Sequence, residues 1–178
     1  MRIFSYLILI ILATPFSKSS TSDYMVICTN EFTVQGKTSL GSFVCSYEMP
    51  ASDTLFFNNK KRNAKIIHTL PVRNFGCGNF ILNGDFRKTL NAKEYPEIKI
   101  ELSNFRITDN RYTCDLMLNL VGKPKQFRDL ELQFYNNSMC GELVLNFSDF
   151  DLEPPKKLGG MVKVKEEIAL NIKMVSSN

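Results

Sequence analysis

From Pro96 onward the chain alternates: Ile98, Ile100 and Leu102 are separated by Glu97, Lys99 and Glu101. A period of two buries one face and wets the other, the mark of an antiparallel strand with solvent on one side. A turn at Thr108-Asp109-Asn110-Arg111 follows, and the alternation resumes through Tyr112, Cys114, Leu116, Leu118 and Leu120. Gly122-Lys123-Pro124-Lys125 breaks it, since proline cannot donate into a ladder and glycine accepts turn dihedrals. A third run carries Leu130, Leu132 and Phe134. These three runs predict a meander whose apolar face needs a cover.

The same pattern recurs on either side. Tyr24 to Gln35 reads as a first strand with Val26, Cys28, Phe32 and Val34 on one parity, and Phe43, Cys45 and Tyr47 alternate along a second. Met49 to Asn63 reads as a loop broken by Leu55-Phe56-Phe57, a trio placed to cap one end of the core. Lys65 to Val72 is a third strand with Ile66, His68 and Leu70 on one side. Cys140 to Phe147 directs Leu143, Leu145 and Phe147 inward. After the Pro154-Pro155 and Gly159-Gly160 loop, which has no strand capacity, the apolar residues from Val162 to Met174 keep even register. Gly78 to Ala92 alone is helical in character: Leu82, Phe86 and Leu90 form one stripe that Phe80 and Ile81 would thicken, Asn79 can cap its start, and Pro96 forbids continuation.

The count is eight strands and one inserted helix. The expected fold is all-β, eight antiparallel strands that suit either a closed barrel stoppered at one end by the helix or a β-sandwich, the inserted helix favouring the barrel. The 178 residues suffice for one domain with a substantial core.

The first residues change the picture of where the protein works. Basic Arg2, the apolar run Tyr6 to Ala13 and the polar stretch from Ser17 to Ser22 have the build of a secretory signal peptide, too short to span a bilayer. The expected division is a signal peptide over 1–22 and a barrel domain over 23–178, exported to a periplasmic or extracellular compartment without stable membrane insertion after cleavage. The formal net charge of +4 has no basic stripe behind it, so nucleic acid is not an expected partner. The Lys60-Lys61-Arg62 run reads as a solvated loop, with contact to anionic lipid as the other reading.

An exported chain permits disulfides, and five cysteines leave at least one thiol unpaired. Cys114 and Cys140 would each sit opposite about Gln133 on a shared neighbour, two strands and roughly 9.5 Å apart, too far for a bond. Cys45–Cys77 is the candidate bridge, tying the end of the second strand to the start of the helix.

Catalytic chemistry has little to stand on. No nucleophile elbow, phosphate loop or His-Glu metal motif is present, and His68 is the single histidine. Neither catalytic nor metal-ligating residues are expected.

Three segments carry a family resemblance. Leu90-Asn91-Ala92-Lys93-Glu94-Tyr95-Pro96-Glu97-Ile98 resembles the "L-x-A-x-x-Y-P-x-I" signature of the YceI-like proteins. Tyr112 to Phe127, with Gly122 in its turn, is similar to that family's hairpin, although Cys114-Asp115 stands where the hairpin usually has a glycine. Asn146-Phe147-Ser148-Asp149-Phe150 resembles the element before the last strand. The resemblance implies an eight-stranded antiparallel lipocalin-like barrel enclosing a polyisoprenoid or similar amphiphilic chain, held by a non-enzymatic binding protein with no cofactor beyond a bound isoprenoid or acyl lipid. With the parity argument, it makes Phe32, Phe43, Ile98, Ile100, Leu116, Leu118, Leu132 and Leu145 candidate wall residues, faced by Phe86 and Leu90 of the helix. The competing expectation is a β domain filled by its own side chains, fourteen phenylalanines among them, that serves as a protein-interaction or structural module. A continuous apolar void of roughly 300 Å³ or more would separate the two.

Overall fold

The computed structural model describes residues 24–57, 65–109, 111–157, 159 and 161–177; the candidate leader and the Lys60-Lys61-Arg62 run lie outside them. The strands are β1 (Tyr24–Thr38), β2 (Gly41–Phe56), β3 (Lys65–Pro71), β4 (Glu97–Thr108), β5 (Arg111–Leu120), β6 (Lys123–Tyr135), β7 (Ser138–Asn146), β8 (Lys156–Lys157) and β9 (Val162–Ser176), with α1 (Phe80–Thr89) between β3 and β4. Eight of them hydrogen-bond in the order β2-β1-β9-β7-β6-β5-β4-β3, every pair antiparallel, and the two-residue β8 adds to β9. The sheet curls into a nearly closed barrel around one core.

β2 and β3 share no ladder. Between them Ser46 and Gly76 exchange a pair of backbone hydrogen bonds (3.0 and 2.9 Å), and a disulfide joins the adjacent Cys45 and Cys77. This graft lies in the middle of β2 rather than at its end, because β2 does not stop near Met49. It runs through Pro50 to Phe56, with Pro50 opposite Thr29 at a bulge in β1, where a missing donor is tolerated. Leu55 and Phe57 are buried at the far end of the barrel, where the Phe57 ring meets Phe105 and Tyr112 edge-on.

The same bulge, between Ile27 and Thr29, overturns the expected parity of β1. One extra residue reverses the alternation, so Ile27, Asn30 and Phe32 point inward while Val26 and Cys28 are exposed. Elsewhere the turn of the β5–β6 hairpin falls at Val121-Gly122, both at positive φ, and Lys123 already pairs with Leu120. Pro124 therefore sits within β6. Its missing donor is harmless, because β6 pairs with β7 only from Leu132 to Tyr135. The earlier turn and a register shift place Cys114 opposite Leu130 rather than Gln133, whereas Cys140 does pair with Gln133. Cys28, Cys114 and Cys140 are free thiols. Phe134, expected inside, is about half exposed one residue from the end of its ladder. Lys156-Lys157 forms β8 within a stretch expected to hold no strand.

Asp115 organises the β4–β5–β6 region. Its carboxylate accepts hydrogen bonds from Asn104 Nδ2 (2.8 Å), Arg106 (2.9 Å) and the Asp129 backbone N–H (3.2 Å). Asn104 and Asp129 both have positive φ and stand at register shifts in β4 and β6, the two neighbours of β5. One side chain thus satisfies the backbone irregularities on both sides of its strand. Burial works to raise its pKa and is the largest single influence, but the Arg106, Asn104 and Asp129 hydrogen bonds together hold it below the usual carboxylate value.

Two outcomes are expected in urea unfolding. Replacing Cys45 and Cys77 by serine, which opens a loop spanning a sequence separation of 32, is expected to lower stability by about 3–4 kcal/mol. Asp115→Ala, which strands the Asn104, Arg106 and Asp129 donors together, is expected to lower it by about 2 kcal/mol; an unchanged midpoint would remove its role as an organiser.

Candidate functional site

The α1 end of the barrel is hollow. Asn79 caps the helix by accepting from the Leu82 N–H (2.9 Å), as its position before the apolar stripe predicts. The helix is then tied to the seam: Asn83 Oδ1 accepts from the Cys77 N–H at 2.6 Å, and Arg87 donates to the Arg73 carbonyl at 2.9 Å. Tilted ring contacts carry the connection inward, Tyr47 to Phe75 and Phe75 to Phe86, with centroids 5.7 and 5.2 Å apart. Beyond these ties α1 rests lightly on the barrel. None of its ten residues is fully buried, and only Leu90, just past its end, is. Phe80 and Ile81, expected to thicken the buried stripe, face solvent, because the first turn projects beyond the barrel wall.

Between α1 and the inner faces of β1, β2 and β9 lies a half-enclosed cavity of about 260 Å³. Val34, Phe43, Phe86, Leu90, Val164 and Ile168 supply most of its wall, with Asp85 and Thr89 among the few polar groups. Below it a second space of about 40 Å³ shares Val34, Phe86, Leu90 and Ile168 and is completed by Leu70, Ile98, Ile100, Leu118, Leu145 and Leu170. Phe43 owes its position to Gly36, its ladder partner. A Cβ there would lie 2.4 Å from the Phe43 ring, so only glycine lets the ring lie flat against β1.

The ten candidate wall residues divide accordingly. Phe43, Phe86 and Leu90 line the larger space, and Phe86, Leu90, Ile98, Ile100, Leu118 and Leu145 the smaller. Phe32, Leu116 and Leu132 are buried in the far half, which is filled by side chains, and line neither. Sequence reasoning passed over Val34, Ile168 and Leu170 as wall residues. Their even register in β1 and β9 was visible, but only the sheet order, which puts β9 beside β1, shows that they face α1.

In the filled half one polar group is sealed in. Asn30 and His68 are almost wholly buried, with Asn30 Nδ2 3.2 Å from His68 Nε2 and 3.5 Å from Asp53 Oδ2; Phe32 meets the imidazole edge-on at 5.3 Å. Asn30 Oδ1 has no hydrogen-bond partner. No other histidine exists to build a metal site, and among the described residues no group of three or more His, Cys, Asp or Glu is placed to hold one. Nor does any free thiol stand in the cavity wall; burial pushes the Cys114 thiol up to about 12, with Asp115 adding to the rise. The chemistry on offer is apolar enclosure.

Comparison with known proteins places this architecture. The family model described as the YceI-like domain matches residues 20–176. The chain belongs to the YceI-like family. No curated protein matches it. Among solved structures, Burkholderia cenocepacia BcnA is similar at 16% identity and a TM-score of 0.51, over 82% of this chain and 96% of that one. A polyisoprenoid binding domain from Saccharophagus degradans, implicated in plant cell wall breakdown, is similar at 12% identity and a TM-score of 0.50, over 87% and 99%. The Campylobacter jejuni YceI protein is similar at 16% and 0.51, over 65% and 73%. At these identities the structural likeness establishes the fold. Among the described residues no helix of this YceI-like chain is long and apolar enough to cross a membrane.

The family-like motifs meet at the hollow end. The Tyr95 ring lies against Gly122, 2.9 Å from where a Cβ would stand, so the Tyr-Pro segment buttresses the hairpin turn. Beside that turn Lys123 pairs with Asp151 and Lys125 with Asp149, bridging β6 to the short helical turn Phe147–Phe150, where β6 has no ladder to β7.

The buried imidazole sets a pH dependence. Burial lowers the His68 pKa from its ordinary 6.5, with Asp53 partly opposing. The folded state therefore prefers the neutral ring and proton uptake favours the unfolded chain. Stability is fully present well above pH 6.5, declines as the pH falls through 6.5 toward the folded-state value, and loses no more from this group below that. Urea midpoints followed from neutral into mildly acidic pH are expected to fall for the native protein and to fall less for His68→Gln.

Proposed function

We propose that this YceI-like protein is an exported, non-enzymatic binding protein that holds the end of a long apolar or amphiphilic molecule, polyisoprenoid, fatty-acyl or quinone-like, in the cavity under α1. The observation that carries this reading is the half-enclosed apolar space of about 260 Å³ at the one end of the barrel where a lightly held helix forms the wall. Such a wall selects for apolar guests. The similarity to a structure whose name includes polyisoprenoid binding supports the class. Export is supported by the apolar leader-like segment and by the Cys45–Cys77 disulfide, a bond suited to oxidising compartments. At about 260 Å³ the space falls short of the usual range for ligand pockets, roughly 300–1,000 Å³. It therefore takes a chain end, and a full-length guest requires α1 to shift or the remainder to trail through the mouth. The filled far half favours a second reading, a protein-interaction or structural module.

Native mass spectrometry after incubation with geranylgeraniol, palmitate or a short-tailed quinone is expected to show a one-to-one adduct. Val34→Phe combined with Ile168→Phe fills the cavity from two strands; it should abolish that adduct while leaving the unfolding free energy from urea titration within about 1.5 kcal/mol of that of the native protein. A bare mass for the unmodified protein with every added lipid would favour the interaction module.

A further inference from the structure

The three most exposed large apolar side chains among the described residues are Phe80 (83%), Leu40 (78%) and Met161 (74%). Single exposed apolar residues are ordinary on a soluble surface. These three come from separate parts of the chain and converge on one place, the rim of the cavity. Leu40 sits in the β1–β2 turn between Thr38 and Ser42, which line that cavity. Met161 precedes the lining residue Val162, and Ser39 holds the two segments together through Oγ to the Met161 carbonyl and N–H to the Lys163 carbonyl, each at 3.0 Å. Phe80 opens the helix whose Leu82 completes the wall. No packing requirement explains them, since each points away from the core.

Three exposed cations gather behind the rim, with the exposed acids Glu153 and Glu167 farther along the same segments. Among the described residues Lys37, Lys156 and Lys163 are exposed and have no carboxylate partner, whereas Lys123 and Lys125 at the same end are taken by Asp151 and Asp149. Lys156 and Lys163 stand directly opposite each other in the β8–β9 pair. Like charges at that position repel across a ladder, and an external anion relieves the repulsion. Of the two adjacent acids on β9, Glu166 accepts from the Ser148 N–H at 2.7 Å, which holds it toward β7 and away from the Lys156–Lys163 pair, and Glu167 lies one residue farther from the rim.

We propose that this end of the barrel docks on an anionic lipid bilayer, Phe80, Leu40 and Met161 dipping into the interface while Lys37, Lys156 and Lys163 meet the phosphates. Apolar tips backed by cations are what a membrane surface binds. The orientation points the cavity mouth at the lipid. It also explains why the first turn of α1 is left uncovered. The docking stands on the rim and its charge; only its purpose, passage of a lipid between bilayer and cavity, rests on the function proposed above.

The chain contains no tryptophan, so one introduced indole reports a single position. Phe80→Trp is compared with Phe134→Trp, an exposed aromatic position on β6, using vesicles of phosphatidylglycerol and phosphatidylcholine, vesicles of phosphatidylcholine alone, and brominated phosphatidylcholine as quencher. The indole at position 80 is expected to shift its emission to shorter wavelength and be quenched on anionic vesicles, less at high salt, while that at position 134 stays water-like. Reversing Lys37 and Lys163 to glutamate in the Phe80→Trp background is expected to weaken vesicle affinity at least about tenfold. Three results would overturn the proposal: an unshifted indole at position 80, equal quenching at both positions, or a shift that follows protein concentration without vesicles, which would make the rim a self-association face. Lipid uptake is read separately by mass, so a protein that docks but takes up no isoprenoid defeats the cavity reading and leaves docking standing, and the converse holds.

Discussion

The architecture depends on a pair of strands that do not pair. β2 and β3 form the two edges of a curled eight-stranded sheet, and no ladder joins them. An open edge would leave a row of unpaired backbone groups and a leaking core. The chain closes the gap with a minimal graft, the Ser46–Gly76 hydrogen bonds and the adjoining Cys45–Cys77 disulfide. What the seam draws in is the β3–α1 connection rather than another strand, and α1 follows. The cavity is a consequence: a helix laid over a barrel mouth on a disulfide, two polar ties and the Tyr47–Phe75–Phe86 ring contacts encloses space that a ninth full-length strand would have filled.

The two halves of the barrel are therefore different materials. The far half is solid, with Phe32, Leu55 and Leu116 fully enclosed and the Phe57, Phe105 and Tyr112 rings closing the end. Its strands are held in register by Asp115, which serves irregularities in both neighbours at once. The α1 half is braced at its edge, by Tyr95 on Gly122 and by the Lys123–Asp151 and Lys125–Asp149 pairs, so that its interior stays open. The segments that carry the family resemblance supply this brace, which gives their residue types a mechanical reason independent of any ligand.

Much of this was legible in the chain. Strict alternation in β4, β5 and β9 fixed which residues face inward, and Asn79 and Pro96 bounded the helix, because period and capping are local properties. What stayed hidden depends on distant parts of the chain. The bulge at Ile27/Thr29 inverts β1 and buries Asn30 in place of Cys28, and no propensity marks it. Asp115 looked like a departure from the family hairpin, and only its neighbours at Asn104 and Asp129 reveal what it does. Phe80 and Ile81 fit the helical stripe by spacing, yet exposure is decided by where the barrel wall ends. Of the expected wall residues, Phe32, Leu116 and Leu132 are inward but in the solid half, a distinction that alternation cannot make.

Residue-resolved amide hydrogen exchange, with the Cys45–Cys77 bond intact and then reduced, tests the seam most directly. With the bond intact, the Ser46 and Gly76 amides should be protected like ladder amides, although they belong to no ladder between β2 and β3. Upon reduction they should open together with the amides of α1, while those of β4 and β5 stay slow. If reduction leaves Ser46, Gly76 and α1 unchanged, or loosens the whole barrel uniformly, the seam is not what holds the helix over the cavity.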